Sequence, residues 1–369
     1  MHTSMIRDRL PAIPSIRRNL LGWYRRHARA LPWRPTRGTR PDPYHVIVSE
    51  AMLQQTQVAT VVDYFRRFVA RWPDVRALAS ADEGEVLRQW QGLGYYRRAR
   101  HLHAAAVRIV TEHDGRVPDD VDELLRLPGV GRYTAGAVAS IAYDRPRPIL
   151  DGNVARVLAR WLDLDQPIDA RETQSQLWSV AEQIVAPQGA RSRSAGTINQ
   201  ALMELGALVC TPRQPHCLAC PVRAHCEGYA QGRAERLPVK RRRPAVKQVR
   251  HHVLAVARRD RFLFEKRPED GLWSSMWQLP TLGGAARGAA GVRRWFEQHS
   301  GLVIEAPRRV ATYAHRTTHR DIEFCLWSAP ATAGRLRPGR GVWRRLDRID
   351  DLPLSNPQRR AIDLVSDGG

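Results

Sequence analysis

Along the first 230 residues, apolar side chains recur at helical spacing, which predicts helices joined by short connections. The predicted helices span residues 16–27, 44–53, 57–70, 85–91, 97–113, 122–127, 133–143, 154–162, 173–185 and 198–209. Gln54-Gln55-Thr56 separates the second from the third, and Thr56 is suited to cap the latter. Gly92-Leu93-Gly94 breaks the next pair. After Tyr229 the pattern changes. Residues 231–247 are polar, strongly basic at Lys240-Arg241-Arg242-Arg243 and punctuated by Pro238 and Pro244, the composition of an exposed linker. Beyond it the pattern predicts hairpin strands at 249–257 and 262–266 around a turn at 258–261, a strand at 322–327 and a helix at 291–299. The expectation is an α-helical N-terminal domain over residues 1–230, a basic linker over 231–247 and a small α+β C-terminal domain over 248–369.

Composition sharpens this picture at two points. Lys and Arg number 59 against 37 Asp and Glu, a formal charge of +22. Such a field attracts polyanions, of which nucleic acid is the commonest, although a tolerated arginine excess produces the same count. The only lysines are Lys240, Lys247 and Lys266, so residues 1–239 contain none. Residues 1–21 are broken by Arg7, Arg9, Pro11, Pro14, Arg17 and Arg18, unlike a signal peptide, and no segment approaches the ~20 apolar residues of a membrane span. A soluble cytoplasmic protein is expected. Four of the five cysteines crowd into residues 210–226, which in a reducing compartment suggests metal ligation rather than disulfides.

Three constellations carry chemistry. Leu127-Pro128-Gly129-Val130-Gly131 lies between two helical segments, where Gly129 and Gly131 permit a tight turn with outward amides at a helix start. That nest suits a phosphate, and the same pattern also serves a plain helix–turn–helix corner. Cys210, Cys217, Cys220 and Cys226 form C-x6-C-x2-C-x5-C, an uneven spacing in one loop that suits a cuboidal cluster better than zinc. Cys325 sits in an apolar strand as a core residue. Finally, Glu50 stands among apolar residues near a helix end, where desolvation favours the neutral acid, and Asp151 in Leu150-Asp151-Gly152-Asn153-Val154 is placed as a carboxylate or as a plain N-cap that keeps it ionised. An acid to protonate a leaving base and a carboxylate to steady a sugar cation are what N-glycosidic hydrolysis requires.

Taken together, these strings are identified as those of a MutY-type adenine DNA glycosylase of the endonuclease III, helix–hairpin–helix superfamily. The resemblance rests on Leu31-Pro32-Trp33-Arg34, Pro43-Tyr44, Val48-Ser49-Glu50, Met52-Leu53-Gln54-Gln55-Thr56, Gly92-Leu93-Gly94-Tyr95-Tyr96, the Gly129/Gly131 hairpin, Asn199-Gln200-Ala201 and the cysteine loop. It covers residues 20–230 and implies a 4Fe–4S cluster on Cys210, Cys217, Cys220 and Cys226, structural by default. It further implies that Glu50 protonates adenine and that Asp151 stabilises the sugar cation with support from Tyr133 and Asn153. Arg29, Arg34 and Gln200 would surround the extruded base, while Gln55, Thr56, Leu93 and Tyr95 would fill the gap and contact the opposite base. Bifunctional relatives carry a lysine where this chain has Tyr133, and arginine is no substitute nucleophile, so a monofunctional hydrolase is expected.

Residues 248–365 resemble the Nudix-like domain with which this family recognises 8-oxoguanine, through Glu265-Lys266-Arg267-Pro268, Gly271-Leu272-Trp273 and Met276-Trp277-Gln278-Leu279-Pro280. The helix that would carry a hydrolase's metal-binding glutamates has one, Glu297, so no pyrophosphohydrolase activity is expected. In His315-Arg316-Thr317-Thr318-His319, Thr318 and His319 match the recognition loop, whereas Thr317 replaces its aromatic residue. The implied partner is duplex DNA carrying adenine opposite 8-oxoguanine or guanine, bound by a monomer. A pyrimidine glycosylase/lyase and a DNA-binding protein without catalysis are the alternatives.

Overall fold

Capping and burial explain where the N-terminal helices begin and which faces they hide. The computed structural model describes residues 12–35, 39–187, 194–241, 246–284 and 288–366. Arg242, Arg243 and Pro244 of the basic run, and residues 1–11 of the N-terminal segment, lie outside the described residues. Contacts divide the chain into two compact units, residues 1–80 with 101–243 and residues 81–100 with 244–369.

The first unit is helical: α1 (Ile13–His27), α2 (Pro43–Leu53), α3 (Val58–Arg71) and the short α4 (Val75–Ala79) come first. After α5 (Glu83–Gln89), which belongs to the second unit, follow α6 (Arg97–His113), α7 (Val121–Arg126), α8 (Arg132–Ala137), a π-helical turn (Val138–Ala142), α9 (Gly152–Trp161), α10 (Arg171–Val185), α11 (Ala195–Leu208) and α12 (Glu227–Ala230). Aspartates start several of them: Asp42 accepts from the Tyr44 amide, Asp120 from those of Asp122 and Glu123, and Asp151 from that of Val154. The apolar stripes of α1, α9, α10 and α11 meet in one core around Leu20, Leu158, Leu177, Ile198 and Leu202.

Two sequence expectations are corrected here. Thr56 does not cap α3: the helix starts at Val58, its N-cap is Gln57, and the Thr56 hydroxyl bonds the Gln54 carbonyl after a left-handed Gln55 (φ 57°). Nor is the stretch after Tyr229 wholly an exposed linker. Ala234 and Leu237 are buried, Arg233 pairs with Asp163, and the Val239 carbonyl accepts from the Ile168 amide. Apolar side chains spaced between arginines hold this segment against the helices.

In the second unit, β1 (Lys247–Arg258), β2 (Arg261–Lys266), β3 (Trp277–Gln278), β4 (Thr281–Gly283), β5 (Leu302–Ile304), β6 (Arg308–Arg316), β7 (Arg320–Gly334) and β8 (Val342–Arg344) form one mixed sheet. Its path runs β3-β2-β1-β7-β5, with β1 and β7 parallel at the centre, β4 on β1, β6 on β7 and β8 on β2. Val253 and Ala255 face one core with Phe324 and α14 (Asn356–Ser366), while Leu254 and Val256 face another with α13 (Gly288–Ser300). Burial on both faces explains why β1 reads as the continuous run Val253-Leu254-Ala255-Val256 instead of alternating. Residues 81–100, comprising α5, the Gly92–Tyr96 turn and the first residues of α6, join this unit.

Candidate active site

Helix α2 is apolar nearly all round, so its one acid is carried into the interior. Pro43 and the Asp42 cap fix its first turn, and Glu50 arrives one turn before its end only 6% exposed. The carboxyl opens onto a cavity of about 520 Å3 whose lining includes Arg29, Trp33, Arg34, Gln55, Thr56, Tyr133, Asp151, Asn153, Gln200, Met203 and Glu204. The sequence-predicted residues Glu50, Tyr133, Asp151, Asn153, Arg29, Arg34, Gln55, Thr56 and Gln200 therefore share one pocket, although they come from five separate stretches of chain.

Burial raises the Glu50 carboxyl to about 7, with the Tyr133 hydroxyl opposing the rise and the charge of Asp151 adding to it. Near neutral pH this acid holds a transferable proton, which an exposed glutamate does not. Asp151 is fixed from two sides. One oxygen accepts from the Val154 amide at 2.7 Å and the other from Asn153 Nδ2 at 2.9 Å. Burial raises the Asp151 carboxyl, and the Val154 and Asn153 bonds pull it back, the direction in which a cap favours the ionised form. Asn153 Oδ1 accepts in turn from Arg156 Nη2 at 2.8 Å, and Arg156 Nε donates to the Cys210 carbonyl at 2.7 Å.

Glu204 was missed by the sequence reading. Its side chain is 1% exposed. One oxygen accepts from the Arg29 amide and Nε, at 2.9 and 2.7 Å, and the other from Arg29 Nη2 and Arg34 Nη2, at 2.9 and 3.0 Å. Burial alone would raise this carboxyl, but the bonds from Arg29 and Arg34 outweigh it and hold Glu204 at about 2. The signal was available. Glu204 interrupts the apolar stretch Ala201–Leu205 just as Glu50 interrupts its own helix, one turn from Gln200 on the same face.

Other predicted residues lie apart from this lining. Gly129 turns the hairpin between α7 and α8 at φ 75°, and a Cβ there would lie 2.6 Å from that of His101; Gly131 is the N-cap of α8. In the second unit Leu93 is buried, Tyr95 is 48% exposed, and Thr318 and His319 are exposed. Here the structure makes a connection that the sequence reading did not: the Tyr95 hydroxyl is hydrogen-bonded to the Thr318 hydroxyl.

Cys210, Cys217, Cys220 and Cys226 line one small cavity with Arg160 and Arg223, and no disulfide joins them. Two 3-10 turns, Cys217–Ala219 and Arg223–His225, fold the loop back on itself. Burial, and then the neighbouring cysteines, push the Cys217, Cys220 and Cys226 thiols up, Cys220 to about 12 and Cys226 to about 11. The buried Arg160 guanidinium lies 3.2 Å from Cys210 Sγ. Four soft sulfur donors beside a buried cation are a donor set that fits an iron–sulfur group. Among the described residues, no three His, Cys, Asp or Glu side chains gather closely enough to hold a single metal ion. No described helix is long and apolar enough to cross a membrane.

Comparison with known proteins places this geometry in a lineage. Residues 48–183 match the HhH-GPD superfamily of base excision DNA repair proteins, and residues 252–364 match the NUDIX domain. An adenine DNA glycosylase of Mycolicibacterium smegmatis is 41% identical over 69% of this chain and 85% of its own. One of Buchnera aphidicola is 28% identical over 94% of this chain and 97% of its own. The rat adenine DNA glycosylase is 48% identical, and the chain spans 44%, 46% and 41% of the rat, mouse and human proteins. The structure of a thermostable thymine-DNA glycosylase superposes on 60% of this chain and 98% of its own, with a TM-score of 0.52 at 26% identity. A helix–hairpin–helix unit followed by a Nudix-like unit, with relatives of this identity and coverage, makes the chain a member of the adenine DNA glycosylase family.

Proposed function

We propose that this chain is a monofunctional DNA glycosylase that hydrolyses the N-glycosidic bond of adenine mispaired with 8-oxoguanine, and less readily with guanine, initiating base excision repair. The observation that carries the reading is a protonated-range acid, Glu50 at about 7, and a clamped carboxylate, Asp151, in one cavity of base-accommodating size. Glu50 gives its proton to the departing adenine, the C–N bond breaks with its electrons leaving on the base, and Asp151 steadies the cationic sugar until water adds to it and gives up a proton to the Glu50 carboxylate. Tyr133 and Asn153 hold the two acids in place. Arg29, Arg34 and Gln200 surround the base, and Glu204, charged and held by two arginines, adds an acceptor to the same wall. The absence of lysine from residues 1–239 supports hydrolysis over amine attack on the sugar.

Duplex DNA is the partner. The net charge of +22 favours it, and the hairpin around Gly129 and Gly131 offers amides to a backbone phosphate. Gln55, Thr56, Leu93 and Tyr95 occupy the space of the flipped base and meet the base opposite, with Thr318 and His319 supplying polar contacts to 8-oxoguanine. Cys210, Cys217, Cys220 and Cys226 hold a 4Fe–4S cluster, which when bound ties the loop together; the hydrolysis needs no electron from it.

The test is single-turnover release of adenine from duplexes with 8-oxoguanine, guanine or thymine opposite. Fast release opposite 8-oxoguanine, slower opposite guanine and almost none opposite thymine is the expected order. Equal rates on all three would overturn the opposite-base reading, and no release from any would overturn the activity.

A further inference from the structure

Tyr95 is an awkward residue to hold in place. It is 48% exposed, and its backbone lies in the left-handed region at φ 49°, between Gly94 at 72° and the start of α6. For a non-glycine residue that conformation is strained and persists only where surroundings enforce it. Arg98 holds the turn directly, and Gln91 and Arg100 anchor the chain on either side of it. Arg98 stacks over both the Trp90 and Tyr95 rings, each at 5.4 Å, and donates to the Leu93 and Gly94 carbonyls at 3.3 and 3.1 Å. Gln91 donates to the Leu354 carbonyl at 2.7 Å and accepts from Arg359 at 3.0 Å. Arg100 forks onto the Ser275 hydroxyl, at 3.1 Å, and the Ser274 hydroxyl.

The receiver of that fork is itself a constrained turn. Gly271, Trp273 and Ser275 all have positive φ, at 78°, 55° and 61°, while Ser274 and Ser275 are buried. The Ser275 amide bonds the Pro268 carbonyl at 2.9 Å, which closes the turn. Trp273 packs on His315, 5.7 Å between rings, three residues before Thr318. Two paths therefore link the Gly92–Tyr96 turn to the 315–319 loop: directly through Tyr95 and Thr318, and indirectly through Arg100, the 271–275 turn and His315. Residues 81–100 belong to this unit by their contacts, which places both paths inside one compact body.

We infer that Arg98, Arg100 and Gln91 are positioning residues for opposite-base discrimination, fixing the Gly92–Tyr96 turn so that Leu93 and Tyr95 are presented with Thr318 and His319 as a single reader. The inference rests on the opposite-base reading given above. Neither Arg98 nor Arg100 takes part in the proton or water steps, so loosening the turn lowers selectivity and leaves bond breaking alone.

The experiment uses the full chain carrying Arg100→Gln, with Ser274→Ala to remove the same contact from the receiving side and Arg100→Lys as the conservative change. Amide hydrogen exchange is followed at residues 92–96. Affinity is measured for duplexes carrying an uncleavable adenine analogue opposite 8-oxoguanine or guanine, and adenine release is timed at saturating enzyme. Arg100→Gln and Ser274→Ala should each raise exchange about tenfold and cut the preference for 8-oxoguanine about tenfold, the scale of one lost charged hydrogen bond. The release rate should stay within about twofold, and Arg100→Lys should fall between.

Unchanged exchange overturns the clamp. Faster exchange with intact preference overturns its part in reading, and an equal loss of affinity on both duplexes makes Arg100 a phosphate contact instead. An unmodified chain without preference contradicts the opposite-base reading itself, while exchange in the variants still decides whether the clamp exists.

Discussion

Glu50 and Glu204 line the same cavity, each almost wholly buried and each interrupting an apolar helix, yet their carboxyls are driven in opposite directions. Burial raises Glu50 to about 7, with the nearby Asp151 carboxyl adding to the rise and the Tyr133 hydroxyl only partly opposing it. Glu204 is gripped by two guanidiniums and a backbone amide and falls to about 2. Burial pushes both carboxyls upward; it prevails at Glu50 and is outweighed at Glu204 by the two guanidiniums. One corner of the pocket is thereby kept as a proton donor and the other as a permanent anion. A departing base that needs a proton on one side and a fixed acceptor on the other would meet both.

The largest effect should come from Glu50→Gln, which preserves shape and removes the proton. Adenine release should fall by about 10²–10⁴-fold, the usual range for a general acid, while duplex binding is retained. A smaller loss in a single-turnover assay would contradict the assignment. Glu204→Gln should instead act mainly on stability. It leaves Arg29 and Arg34 without their buried anion, a change that costs about 3–5 kcal/mol where an ion pair is fully desolvated. Arg29 is a third exposed, which puts the expectation at the lower end of that range, read as a shift in the denaturant midpoint.

Stability against pH sharpens the contrast further. The Glu50 carboxyl is raised above its usual 4.5, so the native state keeps a proton that the unfolded chain releases between pH ~4.5 and 7. Its contribution is present below that window and is lost as pH rises through it, on the order of 3 kcal/mol. Glu204 is lowered, so its contribution is present above pH ~4.5 and is lost as pH falls toward 2. Denaturant melts of Glu50→Gln should therefore flatten the decline from pH 4.5 to 7 and leave the acid side unchanged.

Much of this was legible in the sequence, for identifiable reasons. An acid inside an apolar helix, a lysine-free stretch and four crowded cysteines are local signals, and so is the glycine turn at Gly129. The pocket gathers Glu50, Tyr133, Asp151, Asn153 and Gln200 because each sits at a helix end or on a helix face that the apolar pattern points inward. Glu204 carried the same signal as Glu50 and was passed over because no motif framed it. Other features leave no local trace. The π-helical turn Val138–Ala142 was read as plain helix, and it brings Ser140 Oγ to 2.8 Å from Asn199 Nδ2. The three-residue strands β4, β5 and β8 are too short to alternate visibly. The Tyr95–Thr318 contact joins positions 223 residues apart, which no periodicity encodes.

Glu50 must hold its proton near neutral pH to act as the acid, and the pH dependence of single-turnover adenine release from an adenine:8-oxoguanine duplex tests that most directly. Release should fall as pH rises through about 7. In Tyr133→Phe, which removes the hydroxyl that opposes the rise, that limb should move to higher pH. A rate that stays level from pH 6 to 9 in the unmodified chain would contradict Glu50 as the acid.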